Sequence, residues 1–138
     1  MDAPTAAELE AHPVVQAALA LAWADSLVFD LAQRHEEGGF IYVEPATGAI
    51  HVRRAPPGDR WSIVLTNPPE LSGCFLVATY HTHPNLSAEG WRVGPSDFDL
   101  ELADDSGVPW LIVTDVGLHF AGPERRVGGL ASPPGYPN

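Results

Sequence analysis

The sequence predicts an α/β domain, and three observations carry that expectation. An Ala- and Leu-rich stretch near the N-terminus has helical composition. The period then changes to strand-like segments punctuated by Pro and Gly. Residues 74–80 form a short, nearly continuous apolar run, as a central buried strand does. With 138 residues, 45% hydrophobic and 18% charged, the chain fits one domain with one core. The expected division is a domain over residues 1–122 and a Pro- and Gly-rich tail, irregular or mobile, over 123–138.

Taken in order, Thr5-Ala6-Ala7-Glu8 has the form of a capping box and starts a short helical turn. Pro13 interrupts or restarts it. Residues 14–34 favour helix, and Leu19, Trp23, Leu27 and Leu31 recur every four residues as a stripe for the core. Gly38-Gly39 is expected to end that helix. Residues 40–43 read as a strand, 45–48 as a turn and 49–53 as the returning strand. Pro56-Pro57-Gly58 marks a loop, residues 61–66 a further strand, and 74–80 the central one. A loop ends at Gly94-Pro95, and a helix over residues 96–104 follows with Ser96 as N-cap and Asp97 and Asp99 in its first turn. Residues 108–114 and 118–121 read as a closing hairpin.

Charge and cysteine usage narrow the function classes. Eighteen acidic and seven basic residues give a net charge of −11, with no basic patch to neutralise phosphates, so nucleic acid is not an expected partner. No stretch approaches the roughly 20 apolar residues that span a bilayer, so no membrane is expected. The acidic N-terminus lacks the basic flank of a secretory signal. A single cysteine, Cys74, fits a reducing cytoplasm; opening an apolar run, it reads as a small buried residue rather than a nucleophile.

The chemistry is concentrated where the central strand ends. His81 and His83 are two apart, which places both imidazoles on one face. Pro84 then turns the chain away from the ladder. Asp99, in the first turn of the next helix, can return a carboxylate to that strand end. Two His and one carboxylate leave a fourth zinc position for water, whose pKa would fall toward about 7. Asp97 reads as a first-turn acid rather than a ligand, and His35 as a helix C-terminal histidine. His12, His51 and His119 have no partners at ligand spacing. Trp91, in the polar loop, could flank a substrate groove.

The order His81-Thr82-His83-Pro84, a spacer, then Ser96-Asp97-Phe98-Asp99 resembles the motif of the JAMM/MPN+ zinc metalloprotease superfamily. Pro95 before Ser96 is similar to compact bacterial members, and the order helix, Glu-Gly-Gly, hairpin, central strand, His-x-His-Pro resembles bacterial JAMM-like domains attached to Rhs-type toxins. The resemblance implies a mixed β-sheet flanked by helices, of cytidine-deaminase-like architecture. It further implies zinc held by His81, His83 and Asp99, with Ser96 supporting the attacking water and the oxyanion. An upstream glutamate is the implied general acid/base, and it lies shortly before a Gly where the first helix meets the first strand. That description fits Glu36, with Glu37 as the alternative.

The implied activity is hydrolysis of a peptide or isopeptide bond in a protein or peptide substrate, with the tail of a ubiquitin-like modifier as one candidate. Two alternatives stand beside it: a binding or conflict-system module of the same fold with little or no catalysis, and a zinc amidohydrolase acting on a small molecule. Fifteen residues separate His83 from Asp99, more than in the usual motif, and residues 85–91 could form an extra loop over the site. The chain is too short for the insertions that grip ubiquitin in specialised deubiquitinases. Gly128-Gly129 is similar to the diglycine tails on which such enzymes act, but reads here as part of a flexible tail.

Overall fold

A computed structural model describes residues 2–130, so the last part of the expected tail, 131–138, lies outside the described residues. The Thr5 capping box forms as expected: Glu8 N–H donates to the Thr5 hydroxyl, and the Glu8 carboxylate accepts from Thr5 N–H. It opens α1 (Ala6–Ala11). His12 then caps α2 (Pro13–Asp25), whose first residue is Pro13, where a missing N–H costs nothing.

The second helix is shorter than its composition suggests. It stops at Asp25, and Leu27 takes a left-handed backbone with φ 52°. Leu27 and Leu31 are exposed, and the buried face is Val15, Leu19 and Ala22. A tertiary hydrogen-bond chain explains the stop. Glu37 N–H donates to the Thr82 hydroxyl (3.0 Å), Thr82 to the Ser26 hydroxyl (2.6 Å), and Ser26 to the Ala22 carbonyl (2.8 Å). Because Ser26 spends its only proton on Ala22, the direction of the Thr82 bond is set. This buried chain pins the helix end to the central strand.

Five strands form one sheet in the order β2-β1-β3-β4-β5: β1 (Gly38–Glu44), β2 (Ala49–Arg54), β3 (Phe75–Thr82), β4 (Trp110–Thr114) and β5 (Gly117–Ala121). All neighbours are antiparallel except β3 and β4, which are parallel and joined through α3 (Asp97–Ser106). The fold is therefore mixed α/β, a mixed sheet with helices on its faces. On one face Ile41, Val43, Ala78, Tyr80 and Leu111 pack with Leu9, Val15, Leu19 and Ala22 of the two N-terminal helices. On the other, Phe40, Tyr42, Trp110 and Ile112 pack with Ala103 of α3 and with Ala55 and Leu65. A bulge between β1 and β3, where Ile41 pairs with Ala78 but Tyr42 with Leu76, leaves Val77 unpaired and keeps both faces apolar.

Three other expectations change. Gly38-Gly39 opens β1 instead of ending a helix. A Cβ on Gly38 would sit 2.3 Å from the Tyr80 carbonyl oxygen and 2.9 Å from the His81 Cβ, so these glycines permit close strand approach. Residues 61–66 are not a strand. The Asp59 carboxylate accepts from both Trp61 N–H and Ser62 N–H at 2.8 Å, turning the chain, and Trp61 and Val64 point to solvent. Residues 123–130 are irregular but held. Ala6 N–H donates to the Glu124 carbonyl, Val127 N–H to Gly107, and the Arg126 guanidinium to Leu76, all at 2.8 Å, while Leu130 packs on the core.

Candidate metal centre

A parallel crossover obliges the chain leaving β3 to return through a helix that begins near the strand's C-terminal end. Here that helix is α3. His81 lies on β3 facing it, and His83 follows just beyond the strand, its N–H still donating to Val113 of β4 (2.8 Å). At the start of α3, Ser96 and Asp99 form a reciprocal capping box. Asp99 N–H donates to the Ser96 hydroxyl and Ser96 N–H to Asp99 Oδ2, both at 3.0 Å. One set of bonds thus caps the helix and aims the Asp99 carboxylate at the two histidines.

The three side chains meet in a triangle whose third corner is a carboxylate, one of its oxygens facing each imidazole. His81 Nε2 lies 3.2 Å from His83 Nε2 and 3.3 Å from Asp99 Oδ1, and His83 Nε2 lies 3.1 Å from Asp99 Oδ2. A tetrahedral ion with bonds of about 2.0–2.1 Å needs donors about 3.3 Å apart, a spacing that the two Nε2 atoms match and that each ring also finds with one Asp99 oxygen. The Glu36 carboxylate stands behind, its Oε1 4.0 Å from His81 Nε2. Glu36, His81 and His83 also offer donor atoms all within 4.8 Å of one another, so this group of residues can hold a metal ion. The Asp99 carboxylate lies closer to the two histidines than the Glu36 carboxylate lies to His81.

Protonation suits the same role. A carbonyl can only accept, so the 2.7 Å contact of His83 Nδ1 with Val93 O puts the proton on Nδ1 and leaves the Nε2 lone pair facing the site in the neutral ring. Complete burial dominates at His81 and lowers its pKa, keeping that ring neutral. Burial works against the Asp99 carboxylate, but His81, His83 (which can donate from Nε2 only when its ring is protonated) and Ser96 N–H outweigh it and hold the group ionised well below the usual range. Glu36 goes the other way. Burial first, then the Asp99 and Asp59 charges, push it up to about 8 against the pull of His83.

Neighbouring glutamates in an extended segment point to opposite sides, and their partners differ. Glu36 faces the triangle, its backbone tied to the 58–59 turn by Glu36 N–H to Asp59 O (2.7 Å) and Gly58 N–H to Glu36 O (2.9 Å). The Glu37 carboxylate instead pairs with Arg54 (3.1 Å) and accepts from His35 Nε2 (2.5 Å), so both residues are occupied away from the triangle. Ser96 is exposed at the cleft; its oxygen accepts the cap bond, which leaves its hydrogen to donate. Asp97 is exposed on the first turn of α3.

The long spacer is fastened down on both sides. It carries one 3-10 turn, Ser87–Glu89. Glu89 accepts two hydrogen bonds from the buried Arg34 guanidinium (2.5 and 3.2 Å), and Ser87 donates twice to Asp115 (2.9 and 2.7 Å). Through Val93 the spacer also orients His83, a role for which the sequence carries no signal because the contact is a backbone carbonyl. Arg60 and Trp61, from the loop after β2, line the same cleft with Trp91 and Arg92, a juxtaposition that only the fold reveals. The cleft measures about 460 Å³.

At the other end of the sheet, cross-strand packing gathers Glu44, His51 and Cys74, donor atoms within 4.8 Å of one another. They are only half-buried; Cys74 is less enclosed than its apolar surroundings in sequence predict. No family model, curated protein or solved structure matches the chain. Among the described residues, no helix is long and apolar enough to cross a membrane.

Proposed function

We propose that this chain is a zinc-dependent hydrolase of peptide or isopeptide bonds, working in the manner its JAMM-like motif implies. The observation that carries the reading is the His81–His83–Asp99 triangle with edges of 3.1–3.3 Å, beside a buried glutamate held largely protonated at neutral pH. A catalytic carboxyl needs to gain and lose a proton near the working pH, and Glu36 at about 8 is tuned for that.

His81, His83 and Asp99 would hold zinc, which when bound supplies Lewis acidity toward a carbonyl and an activated water. Glu36 Oε1, 4.0 Å from His81 Nε2, then lies where a proton can be taken from water and handed to the departing nitrogen. The Ser96 hydroxyl, with its hydrogen uncommitted, donates toward the developing oxyanion, a contribution of about 3 kcal/mol in comparable sites. The raised pKa makes Glu36 the better base once a cation or alkaline pH ionises it, and an acid thereafter.

The cleft is flanked by exposed side chains rather than closed over, which favours an extended peptide above a small amide enclosed in a pocket. The tail of a ubiquitin-like modifier is a substrate of that shape. The single cysteine is compatible with work in the cytoplasm. Glu36→Gln tests the assignment: turnover of a peptide or isopeptide panel is abolished while zinc content stays at one equivalent. Full activity in that variant would remove Glu36 from the mechanism.

A further inference from the structure

The chain has seven arginines and no lysine against eighteen acidic residues, so the placement of each cation is informative. Arg34 pairs with Glu89, Arg54 with Asp25 and Glu37, and Arg125 approaches Asp2. Arg53 and Arg126 donate to backbone carbonyls. Among the described residues, only Arg60 and Arg92 have neither a carboxylate nor a backbone-carbonyl partner, and both line the cleft over the candidate metal centre. In a protein of net charge −11, two arginines at one rim without a direct ion pair, Arg60 acting on Glu89 only at longer range, are a specific feature.

Arg60 is also held in place. Its Nε donates to Asn85 Oδ1 at 2.6 Å, and its guanidinium carbon lies 4.9 Å from the Trp61 ring centre and 5.6 Å from that of Trp91. The two indoles meet edge to face at 5.2 Å. The two NH2 groups of Arg60 remain for an incoming acceptor, in the planar fork that suits a carboxylate. Trp61 (58% exposed) and Trp91 (41%) keep apolar surface in water, and Phe98 (65%) does so on the α3 wall opposite. The acidic groups lining the cleft are Glu36, Asp97 and Asp99, the last two in the first turn of α3, and among the described residues none forms an ion pair with Arg60 or Arg92.

We propose that Arg60, Trp61, Trp91 and Arg92 form a substrate subsite for an extended peptide segment carrying a carboxylate side chain next to an apolar one. Its place in a reaction rests on the peptidase reading above; its binding does not. The carboxylate takes the Arg60 fork and Arg92, and the apolar neighbour packs on the indoles and Phe98. The Arg60–Asn85 bond and the indole pair also tie two loops together, so Arg92, which makes no such tie, is the cleaner probe.

The test uses the zinc-loaded full chain carrying Glu36→Gln. Three blocked peptides of one length, differing only in Glu, Gln or Arg beside a central Leu, are titrated by indole fluorescence. The Glu peptide is expected to bind tightest, to weaken with added salt, and to lose roughly fivefold in affinity with Arg92→Gln and again with Arg60→Gln. Equal affinity for the three peptides, or a Glu preference that survives both replacements, overturns the subsite. Turnover by the parent chain is read separately. A Glu preference in binding without cleavage of any peptide supports the subsite and removes the peptidase reading. Cleavage with no preference in binding or in kcat/KM keeps the peptidase and removes the subsite.

Discussion

Removing the charge from Glu36 should stabilise the metal-free protein, and by an amount that depends on pH. The carboxyl ionises near 4.5 in the unfolded chain and near 8 in the folded one, chiefly because burial penalises the charged form. A raised folded-state pKa contributes stability that is fully present below pH 4.5 and is lost as pH rises through 8. At pH 7 the unfolded chain has released this proton and the folded chain has not. At about 1.4 kcal/mol for each of the 2.5 pH units above 4.5, the cost to folding is about 3 kcal/mol. Glu36→Gln keeps the shape of the protonated acid and cannot ionise. Urea unfolding in the presence of chelator, from pH 4.5 to 8.5, should therefore show the variant gaining on the parent by about 3 kcal/mol at pH 7. Saturating zinc should narrow the gap, since a nearby cation favours the carboxylate. Stability curves that stay parallel across this range would refute the burial argument.

Gly38→Ala should cost about 3 kcal/mol and lower zinc occupancy, because the new Cβ meets the Tyr80 carbonyl at 2.3 Å and the His81 Cβ at 2.9 Å. Unfolding midpoints and metal analysis check this; a loss under about 0.5 kcal/mol would mean the strands part freely. Zinc affinity should weaken on acidification. At His83, burial acts to lower the pKa but the Asp99 and Val93 hydrogen bonds prevail and raise it above 6.5, so protons compete from neutral pH downward while Asp99 stays ionised. Chelator competition at pH 8, 7 and 6 should show affinity falling up to about tenfold per pH unit below the His83 pKa, and a flat profile would contradict it.

The parts of this molecule that were legible in sequence are those governed by short-range geometry. His81 and His83 fall on one face because a strand has period two, and Ser96-x-x-Asp99 announces a capped helix whatever else it does. The Thr5 box and Pro13 likewise signal helix starts that need no tertiary help. What was not legible depends on partners distant in the chain. The Leu27 and Leu31 stripe is a sound helical pattern, yet Ser26 is drawn to Thr82 and the helix ends. Gly38 looks like a helix stop until β3 is laid against it. Sequence position favours Glu36 but leaves Glu37 open; Arg54 and His35 turn Glu37 away, and the 58–59 turn holds Glu36 over the histidines. Arg60 and Trp61 lie in a segment with strand-like composition, and only the Asp59 turn and the 85–95 loop bring them to the cleft.

The central claim is that one ion sits on His81, His83 and Asp99. Metal content of the purified chain, measured in a Cys74→Ser background so that the Glu44–His51–Cys74 group is disabled, tests it most directly. The account predicts about one zinc per chain in that background and a near-complete loss on adding either His83→Ala or Asp99→Asn, with the folded state retained. Equal zinc with and without those two replacements would contradict it.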